Sequence, residues 1–290
     1  MPRAVTLFIT PGRAGTQWLA WMLETYYGDL ARVSHEPLGA EYNLRRFLRR
    51  PEAVAGSSEE PAIRAHLDAI NRLPEEQVCI ETGWTGVGCI PLFQERFGER
   101  LRLVQLLRHP VPNAISLMSQ GMHRPGGTDD VVDWGQLDPR TDGVAQTEYA
   151  ERWAGLSPYE RCLFQWTEIH LHGEELERQT EPARFLRVRA EDMFRVESGA
   201  LERIVRFAGL DFRPDCLDGL GKRVDDYARF TGAEFDWQEI LRHEGTVALA
   251  RRAGYALDGI DVGALRRRYR RTPLNALRRA GRTLMRHFRR

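Results

Sequence analysis

The chain has 290 residues, of which 42% are hydrophobic, enough to form the core of one large domain. The net charge is +1, but eleven arginines and one acidic residue follow from Asp261 onward, so the preceding part carries −9. The four cysteines form no CxxC pair, which argues against a disulfide framework and a structural zinc site. No apolar run approaches the ~18 residues of a membrane span, and a strand begins almost at Met1, which leaves no room for a signal peptide. We therefore expect a soluble, intracellular protein of the cytoplasm.

The first predicted element is a short β-prone strand at residues 4–9, followed by a glycine-containing turn and a helix from Thr16. The first N–H groups of a helix have no partner within the helix and attract anions. Arg13 adds a guanidinium that fits a phosphate or a sulfate. The pattern predicts an anion site, and an ordinary strand-to-helix turn is the alternative.

Further strands are predicted at residues 31–34, 78–80, 101–107 and 185–189, with helical spacing between them. This alternation predicts an α/β fold with a central parallel β-sheet of about five strands flanked by helices. In such sheets ligands bind beyond the carboxyl ends of the strands. The residues that fall at those ends are Arg13, Glu36, Glu81 and Arg108.

Residues 11–18, Pro-Gly-Arg-Ala-Gly-Thr-Gln-Trp, resemble the 5′-phosphosulfate loop of sulfotransferases, which use 3′-phosphoadenosine 5′-phosphosulfate (PAPS). They do not form a Walker A loop, which requires Gly-Lys-Ser/Thr after its spacer. The cofactor-binding residues that the resemblance implies here are Gly12, Arg13, Ala14, Gly15, Thr16, Gln17 and Trp18. Ala14 and Gln17 stand where the family usually has hydroxyl residues. Trp18 matches a family tryptophan that stacks on adenine, and a core tryptophan is the alternative reading.

A second motif begins where the strand at 101–107 runs into Arg108. It resembles the family's 3′-phosphate motif, in which an arginine closes a strand and a serine lies eight residues later, as Ser116 does here. A guanidinium can fork onto the phosphate while the serine donates from the adjoining helix. Similarity to the family spans roughly residues 4–257, although Ala190 stands where a tyrosine usually contacts adenine.

The resemblance implies a bacterial-type sulfotransferase domain over residues 1–260, with the P-loop-containing nucleotide hydrolase-like fold. Residues 119–158, rich in glycine, proline and aspartate, are interpreted as a lid or insertion at the acceptor site, with a flexible insertion as the alternative. The arginine-rich segment 261–290 is predicted to be a helical tail that packs on the domain or stays solvated. Weak contact with a membrane surface is the alternative for the tail, and we expect no nucleic-acid partner.

By the logic of phosphoryl transfer, the sulfuryl group would pass in line from PAPS to a hydroxyl of a small-molecule or carbohydrate acceptor, with no metal required. Arg13 and Thr16 would stabilise the leaving phosphate. Glu36 is the first candidate for the general base, followed by His35 and then Glu81. If strand alternation continued, His35 and Glu36 would face opposite sides of the sheet.

Two other functions remain open at this stage. A degenerate nucleotide-binding or membrane-associated module without enzymatic activity would fit the residues Ala14, Gln17 and Ala190. A nucleotide-dependent kinase would fit the fold, but the missing Walker A loop counts against it. The oligomeric state cannot be read from the sequence.

Overall fold

A computed structural model describes residues 1–124, 129–222, 224 and 235–269. Five strands form one sheet: β1 (Ala4–Ile9), β2 (Ala31–His35), β3 (Val78–Thr82), β4 (Leu101–Leu107) and β5 (Phe185–Arg189). Their order is β2-β3-β1-β4-β5, and every neighbouring pair is parallel. The predicted central parallel sheet of about five strands is confirmed.

Helices connect the strands and cover the sheet. In chain order they are α1 (Thr16–Tyr27), α2 (Leu44–Phe47), α3 (Pro51–Ser57), α4 (Pro61–Asn71), α5 (Ile90–Phe97), α6 (Pro110–Ser119), α7 (Asp129–Val132), α8 (Tyr149–Arg152), α9 (Pro158–Gln179), α10 (Ala190–Met193), α11 (Ala200–Phe207), α12 (Glu244–Arg252) and α13 (Val262–Tyr269).

The two faces of the sheet are both buried, as expected for parallel strands. Along β1, Val5, Leu7 and Ile9 pack into a core with α2, α4, α5 and α9. The alternate residues Ala4 and Phe8 pack on the other face with α1 and α11. This double burial fixes the strand register. Because all neighbouring strands are parallel, their carboxyl ends meet at one edge of the sheet.

The predicted lid at residues 119–158 contains α7 and α8 and is tied to α9 by one fully buried carboxylate. Glu168 accepts hydrogen bonds from the backbone N–H groups of Ala145 and Gln146, both at 2.8 Å, and from Arg49 Nη1 at 2.7 Å. A buried charge is tolerated only when it is paired in this way. The central part of this region is therefore packed against the domain.

The C-terminal part of the described chain returns to the sheet edge. Helix α13 packs on α6 and buries Tyr269 there. Residues 270–290 lie outside the described residues, and so does most of the predicted basic tail, with its apolar positions Leu274, Leu277, Leu284, Met285 and Phe288. Within residues 1–269, as far as the structure describes them, no helix is long and apolar enough to cross a membrane.

Replacing Glu168 by glutamine tests the contribution of this buried carboxylate to stability. The substitution turns one carboxylate oxygen into an NH2 group that faces hydrogen-bond donors, while Arg49 keeps Glu175 as its other charged partner. We expect the free energy of unfolding to fall by about 1.5–3 kcal/mol. Urea denaturation measures this. Asp68→Asn, which breaks the exposed ion pair with Arg96, is the matched control, with an expected loss of no more than about 1 kcal/mol. Equal losses of free energy of unfolding in the two variants would contradict a stabilising role of the Glu168 contacts.

Candidate active site

The turn from β1 to α1, residues 10–15, is called the anion loop here. Gly12, Arg13 and Gly15 have positive φ angles of 88°, 59° and 90°. Successive residues of this kind curl the backbone so that its N–H groups line a concave surface, which suits an anion. Among the described residues, no side chain caps α1 at Gly15, so the helix N-terminus adds its positive end to the same surface.

The anion loop is held in place by the chain that follows β4. Asn113 Nδ2 donates to the Gly12 carbonyl at 2.9 Å, and Arg108 Nη1 donates to the Arg13 carbonyl at 2.6 Å. Asn113 is fully buried. Because both carbonyl oxygens are engaged on the α6 side, the conformation of the loop is fixed by contacts with β4 and α6.

Three of the predicted cofactor residues meet at this place and are called the arginine–serine cluster: Arg13, Arg108 and Ser116. Arg13 Nε donates to Ser116 Oγ at 3.2 Å. Ser116 is buried on α6, one side of which faces the loop. Arg108 is joined to this pair through the Arg13 carbonyl, so two guanidinium groups and one hydroxyl belong to one connected set of contacts. Such a set favours a doubly charged anion such as a phosphate.

Tyr269 lies at the same place, although no motif in the sequence points to it. Its hydroxyl accepts from Arg108 Nη2 at 3.1 Å and donates to the Pro112 carbonyl at 3.4 Å. Burial by itself would raise the pKa of Tyr269, but the charges of Arg108 and Arg268, with hydrogen bonds from Arg108 and Ser116, lower that pKa below its ordinary value. The lowered pKa follows from the positive charge of the two arginines near the hydroxyl.

His35 and Glu36 lie together at the end of β2. The alternation of the strand stops at Glu36, which has a φ of 53° and donates its backbone N–H to the Thr82 carbonyl at 3.1 Å. His35 Nε2 consequently lies 3.6 Å from Glu36 Oε1, and His35 Nδ1 lies within hydrogen-bonding distance, 3.1 Å, of Thr82 Oγ1. Extended backbone, the condition under which the two side chains would face opposite sides, is therefore not met at Glu36.

Gly83 makes room for this arrangement. Its φ is 125°, and a Cβ atom added there would lie 2.6 Å from Glu36 Cγ. A residue with a side chain would be strained by the backbone angle and would also collide with Glu36. The glycine therefore allows Glu36 to lie close against the end of β3.

Glu81, the third candidate base, has a different environment. It is 5% exposed, and its Oε1 lies 2.5 Å from Nε2 of His66. The cysteines on the same side of the sheet, Cys79 and Cys89, are buried, and burial raises the pKa of each thiol. Glu81 is engaged inside the core, whereas Glu36 is about one-third exposed at the strand end.

The sheet order separates Glu36 from the anion loop. Strand β3 lies between β1 and β2, and strands are spaced about 4.8 Å apart, so the two strand ends are on the order of 10 Å from each other. Trp84, just after β3, lies in this gap: a Cβ atom at Gly12 would be 3.1 Å from Trp84 Cδ1. The indole also stacks on Trp134 of the predicted lid, with ring centres 5.2 Å apart and planes 11° apart.

The remaining loop residues divide between core and surface. Ala14 and Thr16 are buried, and Gln17 is exposed. Trp18 is 5% exposed and donates its ring N–H to the Gly219 carbonyl at 3.1 Å, which agrees with the reading of a core tryptophan.

Phe194, shortly after β5, is the exposed aromatic residue at this edge. It is 41% exposed, lies with its ring centre 4.9 Å from that of Trp18, and would meet a Cβ atom at Gly15 at 3.1 Å. Sequence reasoning missed Phe194 because Ala190, four residues earlier, holds the family's tyrosine position. The contact with Gly15 depends on how β5 and β1 are placed in the sheet, which no local pattern reveals.

No group of three or more histidine, cysteine, aspartate or glutamate side chains suited to a metal ion occurs among the described residues. The chemical features of this edge are thus the anion loop, the arginine–serine cluster, the His35–Glu36 pair, the Trp84–Trp134 stack and the exposed ring of Phe194.

Neither family models nor curated proteins gave a match to this chain. Solved structures, in contrast, match this chain along most of its length. The sulfotransferase domain of an olefin synthase from Synechococcus PCC 7002 is 17% identical, with a TM-score of 0.51 over 88% of this chain and 95% of that domain. A sulfotransferase from Alicyclobacillus acidocaldarius is 15% identical, with a TM-score of 0.50 over 92% of this chain and 99% of that one. The chain therefore has the sulfotransferase fold, as the resemblance of its two motifs implied.

Proposed function

We propose that this protein transfers the sulfuryl group of PAPS to a hydroxyl group of a small-molecule or carbohydrate acceptor. The observation that carries the proposal is the convergence of Arg13, Arg108 and Ser116 beside the anion loop, on a sulfotransferase fold. PAPS has two separate phosphate groups. The anion loop and the arginine–serine cluster supply one subsite for each.

The 5′-phosphosulfate would bind at the anion loop, where backbone N–H groups and the start of α1 supply donors and a positive dipole. The 3′-phosphate would bind between Arg108 and Ser116. Adenine would lie against Phe194, whose exposed ring beside Trp18 takes the place of the tyrosine contact absent at Ala190. No metal is needed to hold the nucleotide in this arrangement.

In the reaction, an acceptor oxygen would attack sulfur while the bond from sulfur to the bridging oxygen of the 5′-phosphate breaks. The leaving group is adenosine 3′,5′-bisphosphate, and loop N–H groups with Arg13 and Thr16 would stabilise the charge that grows on it. The acceptor proton would pass to Glu36, whose Oε1 lies 3.6 Å from His35 Nε2. Glu81 would support the fold through His66 rather than act on the acceptor.

The acceptor would enter the gap between the anion loop and Glu36, next to the Trp84–Trp134 stack. Because Trp134 belongs to residues 119–158, this contact supports the interpretation of that region as the acceptor-site lid of a domain over residues 1–260. The indole faces suit a ring with an apolar surface.

Nucleotide binding tests the proposal directly. By calorimetry, we expect adenosine 3′,5′-bisphosphate to bind more tightly than adenosine 5′-monophosphate (AMP), because only the bisphosphate reaches the arginine–serine cluster. Arg108→Ala should weaken bisphosphate binding by about 2–4 kcal/mol and remove most of this preference. Arg102→Ala is the matched control: it lies at the other end of β4 and bonds the Phe207 carbonyl.

Equal affinity of the unmodified protein for the two nucleotides would reject the assignment of Arg108 and Ser116. Incubation with radiolabelled PAPS and a panel of hydroxyl compounds then separates an enzyme from a binding module. Tight bisphosphate binding without any sulfated product would favour the non-enzymatic alternative.

The role of Phe194 gives a different signature. Phe194→Ala should weaken bisphosphate and AMP binding equally, by about 1–3 kcal/mol, because stacking on the base does not depend on the 3′-phosphate. Val196→Ala, at a position 58% exposed in the same segment, should leave both affinities unchanged. A loss confined to the bisphosphate would place Phe194 at the phosphate instead of the base.

Glu36→Gln tests the general base. We expect unchanged folding and nucleotide affinity but a turnover rate lower by about 10²–10⁴-fold, because the amide cannot accept the acceptor proton. Glu81→Gln is the comparison, and it should mainly lower the melting temperature through the loss of its contact with His66. Normal turnover in a folded Glu36→Gln protein, with inactivity of Glu81→Gln, would reverse the two roles.

A further inference from the structure

The last helix of the described chain reaches the arginine–serine cluster from a segment that the proposed function does not use. We infer that the hydroxyl of Tyr269 is a third ligand for the 3′-phosphate, so that α13 forms part of the nucleotide site. The inference rests on the proposed function and adds a specificity-determining residue to it.

The contacts of Arg108 place Tyr269 at the proposed phosphate site. One terminal nitrogen of its guanidinium, Nη1, is engaged by the Arg13 carbonyl at 2.6 Å, and the other, Nη2, donates to Tyr269 Oη at 3.1 Å. The tyrosine therefore lies at the edge of the guanidinium through which Arg108 can also bind a ligand. A phosphate held by Arg108 and Ser116 would bring its oxygens within hydrogen-bonding reach of this hydroxyl.

The hydroxyl can also donate. Its bond to the Pro112 carbonyl is long, at 3.4 Å. A phosphate oxygen carries charge and is a stronger acceptor than a neutral carbonyl, so the O–H group would turn from Pro112 to the phosphate. A rotation about the C–O bond is enough, and the ring does not need to move.

The packing of α13 fixes the ring in this position. Tyr269 is 2% exposed and belongs to an apolar cluster with Val111, Ala114 and Ile115 of α6, and Leu265 of α13 packs against the same cluster. Helix α6 also carries Ser116. The two hydroxyls are therefore presented by a single packed unit, which holds a ligand geometry with little loss of side-chain entropy on binding.

The electrostatic environment suits a dianion. Arg13 and Arg108 both lie at the cluster, and Arg268 precedes Tyr269 on α13. Positive charge that lowers the pKa of the phenol would also stabilise a phosphate at the same place.

The experiment compares Tyr269→Phe with the unmodified protein by calorimetry, using adenosine 3′,5′-bisphosphate and AMP as probes. The substitution keeps the ring in its apolar cluster and removes only the hydroxyl. Loss of one hydrogen bond to a charged group is expected to weaken bisphosphate binding about tenfold or more. AMP binding should not change, because AMP lacks the 3′-phosphate.

Tyr27→Phe is the matched control. It also removes a buried tyrosine hydroxyl with one backbone partner, Arg213 N–H at 2.8 Å, but at the far end of α1. It should leave both affinities unchanged, and melting temperatures will show whether either variant perturbs the fold. In the unmodified protein labelled with ¹³C at tyrosine Cζ, the bisphosphate but not AMP should shift the resonance that is missing from Tyr269→Phe.

Three results would overturn the inference. The first is an unchanged affinity of Tyr269→Phe for the bisphosphate. The second is a higher affinity, which would mean that the hydroxyl competes with the phosphate. The third is an equal loss of bisphosphate and AMP binding, which would mean that Tyr269 only shapes the site. A lack of preference for the bisphosphate in the unmodified protein would instead reject the proposed function, and this inference with it.

Discussion

Arg108 connects the parts of this structure on which a nucleotide site depends. Its side chain holds the carbonyl of Arg13 and the hydroxyl of Tyr269, and its own carbonyl accepts a hydrogen bond from Trp166 Nε1 at 3.0 Å. One residue at the end of β4 thereby links the anion loop, the C-terminal helix and α9. Such a charge, partly buried and multiply bonded, is costly to place without partners, which keeps the segments in a single arrangement.

The part of the site at the end of β2, the His35–Glu36 pair, depends on backbone strain rather than on charge. Glu36 adopts a positive φ, and Gly83 leaves the space in which its side chain lies. Strained residues at strand ends persist only where surrounding contacts hold them, here the bond from Glu36 N–H to the Thr82 carbonyl. The consequence is that the imidazole of His35 and the carboxylate of Glu36 lie 3.6 Å apart at the strand end.

Trp84 lies between the anion loop and the His35–Glu36 pair. It lies against Gly12 of the anion loop, follows directly after Gly83, and stacks on Trp134 of the predicted lid. Later in the same predicted region, Glu168 accepts hydrogen bonds from the backbone N–H groups of Ala145 and Gln146. Packed side chains thus connect the anion loop with residues 134–146, and the helix that carries Glu168, α9, also carries Trp166, which bonds the Arg108 carbonyl.

The sequence by itself determined the elements and the chemistry of the two motifs. Strand burial, helical spacing and the preference of helix N-termini for anions are local properties, so β1–α1 and Arg108 with Ser116 could be recognised from short stretches. The tertiary structure decided which residues meet. Glu81 and Glu36 both end a strand, yet only the packing of α4 places His66 on Glu81. The sheet order inserted β3 between Arg13 and Glu36, and Tyr269 reached Arg108 across 161 positions of sequence. Contacts of that kind depend on how layers pack against each other, a property of the whole chain that local periodicity does not contain.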